Sequence, residues 1–309
     1  MLALTIPWLL VILIIAAIVC LLKKKWKVSS ALLIGALCLN WWSECVSIHL
    51  WPISDDNGGN CIKVMSFNID GSTGDIKKKA PRIVSLIEKY SPDVVFIAEY
   101  CENNIPDLDT LLTKAYLYNT LCKKGYFHYF YSNYPLIEDM RLRDGDSQKG
   151  INIYTCKLMK DGDTVSLYGC HLPSNNYNAE MKRFSPDSID TSGDALHYLC
   201  NIRQAHEKRE RQTEIMINEM KGNANPIIVM GDINDVGGSA TIRKMEQSGL
   251  RDAWWVGGWG YGATIHKPLP YRIDHILYSD DLKLMKIKVV DSQELSDHDA
   301  LYAEFEIEK

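Results

Sequence analysis

Ile227-Ile228-Val229-Met230-Gly231-Asp232-Ile233-Asn234 is a run of four apolar residues that breaks into a glycine, a carboxylate and an amide. The apolar part has the length and side chains of a buried strand. Asp232 and Asn234 are two apart, so in extended chain they share a face. The same design recurs on either side of this stretch. Ser66-Phe67-Asn68-Ile69-Asp70 ends one strand candidate with an amide and a carboxylate, again two apart. Phe96-Ile97-Ala98-Glu99 ends another in a carboxylate, and Gly169-Cys170-His171 ends a third in an imidazole. Arg272-Ile273-Asp274-His275 opens a later strand, and Ser296-Asp297-His298 stands before the last.

The elements between these pieces are mixed. Strands are expected over 61–69, 94–98, 126–131, 151–157, 164–171, 227–230, 273–278, 287–290 and 301–307. Ile76, Ile83 and Ile87 recur at helical spacing over 76–90, although Pro81 weakens the first turns. A long polar helix is expected over 195–220. Strand–helix–strand order comes early and hairpin-like order in the middle, so the class is α/β with two packed mixed sheets flanked by helices. The loop over 175–193 is long for a compact domain, and such loops are often functional.

The first 53 residues are of another kind. Leu2 to Leu22 is almost wholly apolar, long enough to cross a bilayer. Its charges follow the apolar run, at Lys23, Lys24, Lys25 and Lys27, which favours a retained anchor over a cleaved signal. A second apolar stretch from about 28 to 51 is interrupted by Asn40 and Glu44, and its pair Trp41-Trp42 suits a membrane interface. Two spans joined by the Lys-rich turn would form a hairpin with that turn in the cytoplasm and the following domain outside. The alternative is one span plus an interfacial helix, which leaves the domain inside. We take residues 1–53 as the membrane anchor, a two-helix hairpin for preference, the polar stretch 52–60 as a linker, and 54–309 as one large domain.

Charge and cysteine content narrow the classes. Of 34 basic and 39 acidic residues, only four Lys and one Glu (Glu44) lie in the first 53, so the remainder is net −8. Such a balance disfavours tight non-specific binding to a nucleic-acid backbone, without excluding a local basic groove. Nine Cys, with no CxxC pair, cannot form a complete intrachain set. Most read as small buried apolar residues. No zinc spacing and no P-loop occurs.

Each strand-end group taken alone has a bland explanation. Asn234-Asp235 ahead of Gly237-Gly238 is a turn pattern, Asp274 could pair with Arg272, Asp297 could cap a turn, and His171 could be a structural histidine. Glu99 resists that treatment, because a carboxylate directly after a buried run needs a cation or a basic partner. Together the groups supply carboxylates, amides and two imidazoles, the oxygen-rich set that a hard cation such as Mg²⁺ prefers. The aromatic, Gly-rich stretch with Trp254, Trp255, Trp259 and Tyr261 could line a substrate or membrane surface or simply pack.

In this order the segments resemble the endonuclease/exonuclease/phosphatase superfamily. The resemblance rests on Ser66-Phe67-Asn68-Ile69, Asp93-Val94-Val95-Phe96-Ile97-Ala98-Glu99, His171-Leu172, Gly231-Asp232-Ile233-Asn234, Arg272-Ile273-Asp274-His275-Ile276 and Ser296-Asp297-His298. It implies a four-layer α/β sandwich with a site at one end. It also implies a phosphate-ester hydrolase, a phosphodiesterase for preference, using Mg²⁺ or Mn²⁺. Glu99 would hold the metal, with Asn68, Asp70 and Asp297 close by. Asp232, helped by Asn234, would activate the attacking water. His298, oriented by Asp274, and His171 would act at the phosphoryl group. Asn175 and Arg272 are candidates for substrate contact. Two departures stand out: Ala98 replaces the Gln that often precedes the metal-binding Glu, and Asp299-Ala300 replaces an aromatic–Pro pair. The substrate is left open among lipid head groups, nucleic acid and small molecules. A catalytically silent, membrane-tethered binding module is the competing reading, weakened because no motif residue is missing. No protein partner is inferred.

Overall fold

The computed structural model describes residues 2–49, 61–70, 76–100, 107–120, 128–145, 150–175, 191–266 and 269–308. The linker expected over 52–60 and most of the loop expected over 175–193 fall outside them.

Two six-stranded sheets form the centre. The first has the order β11-β12-β1-β2-β4-β3, built from β1 (Cys61–Asn68), β2 (Val94–Ala98), β3 (Tyr118–Asn119), β4 (Tyr129–Ser132), β11 (Leu282–Val290) and β12 (Ala300–Ile307). The second has the order β5-β6-β7-β8-β10-β9, from β5 (Leu136–Arg143), β6 (Gly150–Lys160), β7 (Asp163–His171), β8 (Ile227–Asp232), β9 (Leu250–Asp252) and β10 (Asp274–Ser279). β1 and β2 are parallel, as are β7 and β8, while the remaining pairs are antiparallel. Each sheet is therefore mixed, as expected.

Strand alternation sorts the side chains into layers. Val64, Phe96 and Phe130 of the first sheet meet Leu167, Met230 and Ile276 of the second in a central core. The opposite face of the first sheet, with Met65, Phe67, Val95 and Ile97, packs on α3 (Ile76–Tyr90) and α4 (Leu108–Ala115) through Ile83, Ile87, Leu108 and Leu112. Val229, Leu277, Tyr168 and Cys170 on the outside of the second sheet pack on α5 (Thr191–Met220) and α6 (Ala240–Gln247) through Met216, Ile242 and Met245. The result is four layers, α/β/β/α.

Asn68, His171, Asp232 and Asp274 continue the inner-facing series of β1, β7, β8 and β10. They are polar because the central core ends there. Parity fails one step beyond, where Asp70, Glu99 and Asn234 take left-handed backbone with φ of 40°, 57° and 55°. Non-glycine residues adopt that conformation at a cost of order 1–3 kcal/mol, and such strain clusters at functional sites. Gly231 has φ of 140°, and a Cβ there would lie 1.9 Å from the Cys170 carbonyl oxygen, so only glycine lets β8 approach β7 just before Asp232.

At the N-terminus, α1 (Ile6–Leu22) and α2 (Trp26–Ser43) pack side by side, with Ser29 Oγ donating to the Ala17 carbonyl at 2.9 Å. Of the two spans expected, only the first is met on length and composition. Among the described residues only Ala3–Leu22 is long and apolar enough to cross a membrane, with a mean hydropathy of 2.9. Lys27, Ser29, Ser30 and Asn40 dilute α2 below that standard.

Both helix ends remote from the lysines dock on the two-sheet domain. Arg243 donates to the Trp42 carbonyl, and Ser47 forms an isolated antiparallel bridge with Gly260. Trp8 Nε1 donates to Tyr271 Oη at 3.1 Å. Gly238, with φ of 69°, lies under Ser43, whose carbonyl oxygen would stand 2.4 Å from any added Cβ.

Candidate active site

β1, β2, β7 and β8 deliver their C-terminal ends to one place, and antiparallel β10 begins there. Register aligns the groups: Asn68 pairs with Ala98 beside Glu99, His171 with Asp232, and Asp232 with Asp274. Asn68 bridges the sheets, donating from Nδ2 to Glu99 Oε1 at 3.0 Å and to Asp232 Oδ2 at 3.2 Å. His171 Nε2 lies 3.0 Å from Glu99 Oε1 and 3.8 Å from Asp232 Oδ2. Asn234 closes the turn after β8, its backbone N–H donating to Asp232 Oδ1 at 2.8 Å and its amide to Asp232 Oδ2 at 3.1 Å. The loop before β12 adds His298. Its Nδ1 is 2.8 Å from Asp274 Oδ2, while its Nε2 faces Asp232 Oδ2 at 3.9 Å and Asp297 Oδ1 at 4.0 Å. Ser296 Oγ pins that loop by donating to the Asn68 carbonyl at 2.7 Å.

The electrostatics separate the carboxylates. Burial opposes the charge on Glu99, but the His171 hydrogen bond and charge, the Asn68 amide and His298 outweigh it and bring the pKa down to about 2. Asp232 is pushed up to about 6, first by burial and then by the neighbouring Asp274 charge, against the pull of His298, His171 and the Asn234 N–H. Burial works against a charged His298, yet the Asp274 contact and the Asp232 and Asp297 charges raise it to about 10. His171 is raised in the same sense, by Glu99 and Asp232 against burial. Burial, with the charges of Asp70 and Glu99, pushes Asp297 up. The arrangement thus holds a low-pKa carboxylate, a base poised near neutrality and a protonated imidazole within a few ångströms.

A cation fits these residues. Ligand atoms of Glu99, His171 and Asp232 lie within 4.8 Å of one another, as do those of Asp232, Asp274 and His298. Asp70 and Asp297 add negative charge beside Glu99. Lys79 Nζ, buried beneath, donates to the Ile69 and Asp70 carbonyls at 3.2 and 3.1 Å and so holds the turn that carries Asp70.

A family model described as the Endonuclease/Exonuclease/phosphatase family matches residues 65–298. The chain belongs to the endonuclease/exonuclease/phosphatase family. Members of this family are phosphoester hydrolases. Among solved structures, a humanized D. rerio TDP2 superimposes with a TM-score of 0.61 at 18% identity, over 79% of this chain and 98% of that one. TDP2 from C. elegans gives 0.58 at 17%, over 97% and 93%. Beta toxin from Staphylococcus aureus, a mutant with bound magnesium ions, gives 0.53 at 16%, over 81% and 100%. At these identities the likeness shows the fold. No curated protein matches the chain.

Within this endonuclease/exonuclease/phosphatase fold, one of the two residues expected at the substrate, Arg272, lies elsewhere. Arg272 is 2% exposed, and its Nη1 donates to Asp252 Oδ2 at 2.6 Å and lies 2.9 Å from His275 Nδ1. It is a buried strut, and the pairing of Asp274 with Arg272 gives way to that of Asp274 with His298. Asn175 is half-buried beyond β7, its Oδ1 accepting from Arg209 Nη1 at 2.9 Å. Sequence reading missed His128. Its Nδ1 accepts from the Glu99 backbone N–H at 3.3 Å, and its ring lies 5.0 Å from that of His171. Burial and the His171 charge keep His128 neutral, with a pKa near 3. No motif surrounds it, and only the β2–β4 pairing brings it to Glu99. Thr264 was missed too; its Oγ1 accepts from the Asp274 backbone N–H at 3.1 Å.

Proposed function

We propose that this protein is a membrane-anchored, divalent-metal-dependent phosphodiesterase that uses a water nucleophile. The observation that carries the reading is the environment of Asp232 Oδ2, which has Asn234 at 3.1 Å, Asn68 at 3.2 Å, His171 at 3.8 Å and His298 at 3.9 Å. A buried base inside such a ring of amides and imidazoles suits a reaction at an anionic centre.

Glu99, with Asn68, Asp70 and Asp297 nearby, would hold Mg²⁺, with Mn²⁺ as the alternative. The ion would neutralise phosphate charge and stabilise the developing anion. Asp232, fixed by two hydrogen bonds from Asn234, takes the proton of the attacking water. The water oxygen bonds to phosphorus and the bond to the leaving oxygen breaks. His298, kept protonated and oriented by Asp274, supplies the leaving oxygen with a proton. His171, hydrogen-bonded to Glu99 and with its pKa raised by it, contacts a phosphoryl oxygen, and Asn175 offers its amide nitrogen to the substrate. TDP2 was solved with a single-strand DNA product and beta toxin with magnesium, which supports the reaction class without fixing this substrate.

Residues 3–22 anchor the chain in this reading. The less apolar α2, packed along α1, returns the chain through the bilayer beside it, so the lysines between the two helices lie in the cytoplasm and the catalytic domain outside. An extracytoplasmic reporter joined after Lys309 is expected to be active; activity of a cytoplasmic one instead would reverse the orientation. For the chemistry, full-length protein in detergent is assayed with Mg²⁺ or Mn²⁺ on bis(p-nitrophenyl) phosphate and p-nitrophenyl phosphate. Metal-dependent release from the diester, abolished by Asp232→Asn, is expected. No release from either ester with either metal would sink the proposal.

A further inference from the structure

The hairpin formed by α1 and α2 is more than a tether of unspecified direction. Tyr271 receives the N-terminal end of α1, accepting from Trp8 Nε1 at 3.1 Å and donating to the Leu4 carbonyl at 3.3 Å. Ile265 forms one antiparallel bridge with Tyr271 and another with His298. Neighbouring strands lie about 4.8 Å apart, so the backbone of His298 stands roughly 10 Å from that of Tyr271, whose side chain meets the start of the helix able to span a membrane. The 20 residues of that helix measure about 30 Å, the depth of a bilayer core.

The joint is ringed by exposed apolar side chains. Trp41 is 78% exposed, Trp259 68%, Ile48 56% and Leu269 38%. They belong to one neighbourhood: Ser47 bridges Gly260, which puts Ile48 beside Trp259; Trp41 packs edge-on to Trp255 at 6.2 Å; and Leu269 is two residues from Tyr271. Single exposed apolar residues need no explanation, but a cluster continuous with a membrane helix does. Tryptophan is the side chain that favours the bilayer–water boundary.

We propose that this rim seats the catalytic domain on the bilayer holding its own anchor, and that the active site takes phosphodiester head groups of lipids in that leaflet. The inference rests on the hydrolase reading above and adds its substrate class. Lateral diffusion then supplies substrate, and a net-acidic domain needs no attraction to a nucleic-acid backbone.

The test uses full-length protein in vesicles of phosphatidylethanolamine, phosphatidylglycerol and sphingomyelin, with Mg²⁺. Head-group release is measured from the lipids of the same vesicles, from protein-free vesicles added separately, and beside turnover of bis(p-nitrophenyl) phosphate and a single-stranded oligonucleotide. Release is expected to be at least tenfold faster from the protein's own vesicles. Trp259→Asp and Leu269→Asp should each lower it tenfold or more while soluble-diester turnover stays within twofold, which also shows that the variants are folded. Cleavage of the soluble diester with intact vesicle lipid overturns the inference, as does preference for the oligonucleotide or an undiminished lipid rate in both variants. If no ester is cleaved at all, the hydrolase reading fails and this inference falls with it.

Discussion

His298 and Asp274 form a buried pair, Nδ1 to Oδ2 at 2.8 Å, with the other imidazole nitrogen directed at Asp232 3.9 Å away. The carboxylate fixes one nitrogen as a donor and leaves Nε2–H facing the place where a leaving oxygen would stand. Asp274→Asn removes the charge and keeps the shape. Turnover of a soluble diester is expected to fall on the order of 100-fold or more, the usual scale of a lost acid–base role, while the Michaelis constant stays nearly constant. A rate within a few-fold of the parent would exclude His298 as the acid.

The same groups set a pH profile. Asp232 must be unprotonated to accept a proton, and burial with the Asp274 charge places its pKa at about 6. The rate should therefore rise through pH 6. His298 must be protonated, and Asp274 outweighs burial to hold it until about pH 10, where the rate should fall. The His298 pKa is raised on folding, so the stability its pairing contributes is complete below the unfolded value of about 6.5 and is lost as pH rises through about 10. The alkaline fall in turnover should therefore accompany a lower melting temperature. Asp232→Asn should erase the acid limb along with most activity; an unchanged acid limb in its residual rate would assign that limb to another group.

Glu99→Gln tests the metal. The Gln amide can still meet Asn68 and His171 but carries no charge for a cation. Magnesium binding, measured by calorimetry on the resting protein, is expected to weaken more than tenfold, with turnover near background and the melting temperature little changed. Equal magnesium affinity in parent and variant would move the ion elsewhere.

Much of this site was legible before any fold was known, because strand parity and core burial are local properties. Asn68, His171 and Asp232 end apolar strands, and a polar residue there has to find partners. Long-range pairing was not legible. His128 has no motif and reaches Glu99 only because β4 returns beside β2. β5 escaped notice because Leu136–Arg143 is an edge strand with most of its side chains in solvent. The second hydrophobic segment was overrated because its apolar residues were counted without the weight of Lys27, Ser29, Ser30 and Asn40. Arg272 was assigned to the substrate because Asp252, its partner across 20 residues of chain, gives no sign in the sequence.

That Arg272–Asp252 pair supplies the remaining prediction. Both side chains are within 2% of complete burial, and Asp252 also caps α7 (Ala253–Gly257) by accepting from the Trp254 N–H at 2.8 Å. Burial opposes the Asp252 charge, but Arg272 and His275 hold its pKa well below the usual carboxylate range. Removing one partner leaves a buried charge without its counterion, which typically costs about 3–5 kcal/mol. Arg272→Met should therefore lower stability by that amount in urea denaturation of the full chain in detergent. A substrate-binding arginine would behave differently, raising the Michaelis constant with little effect on stability. The two outcomes separate cleanly: a large loss of stability with an unchanged Michaelis constant marks Arg272 as a strut beneath Asp274, and the reverse pattern would return it to the substrate.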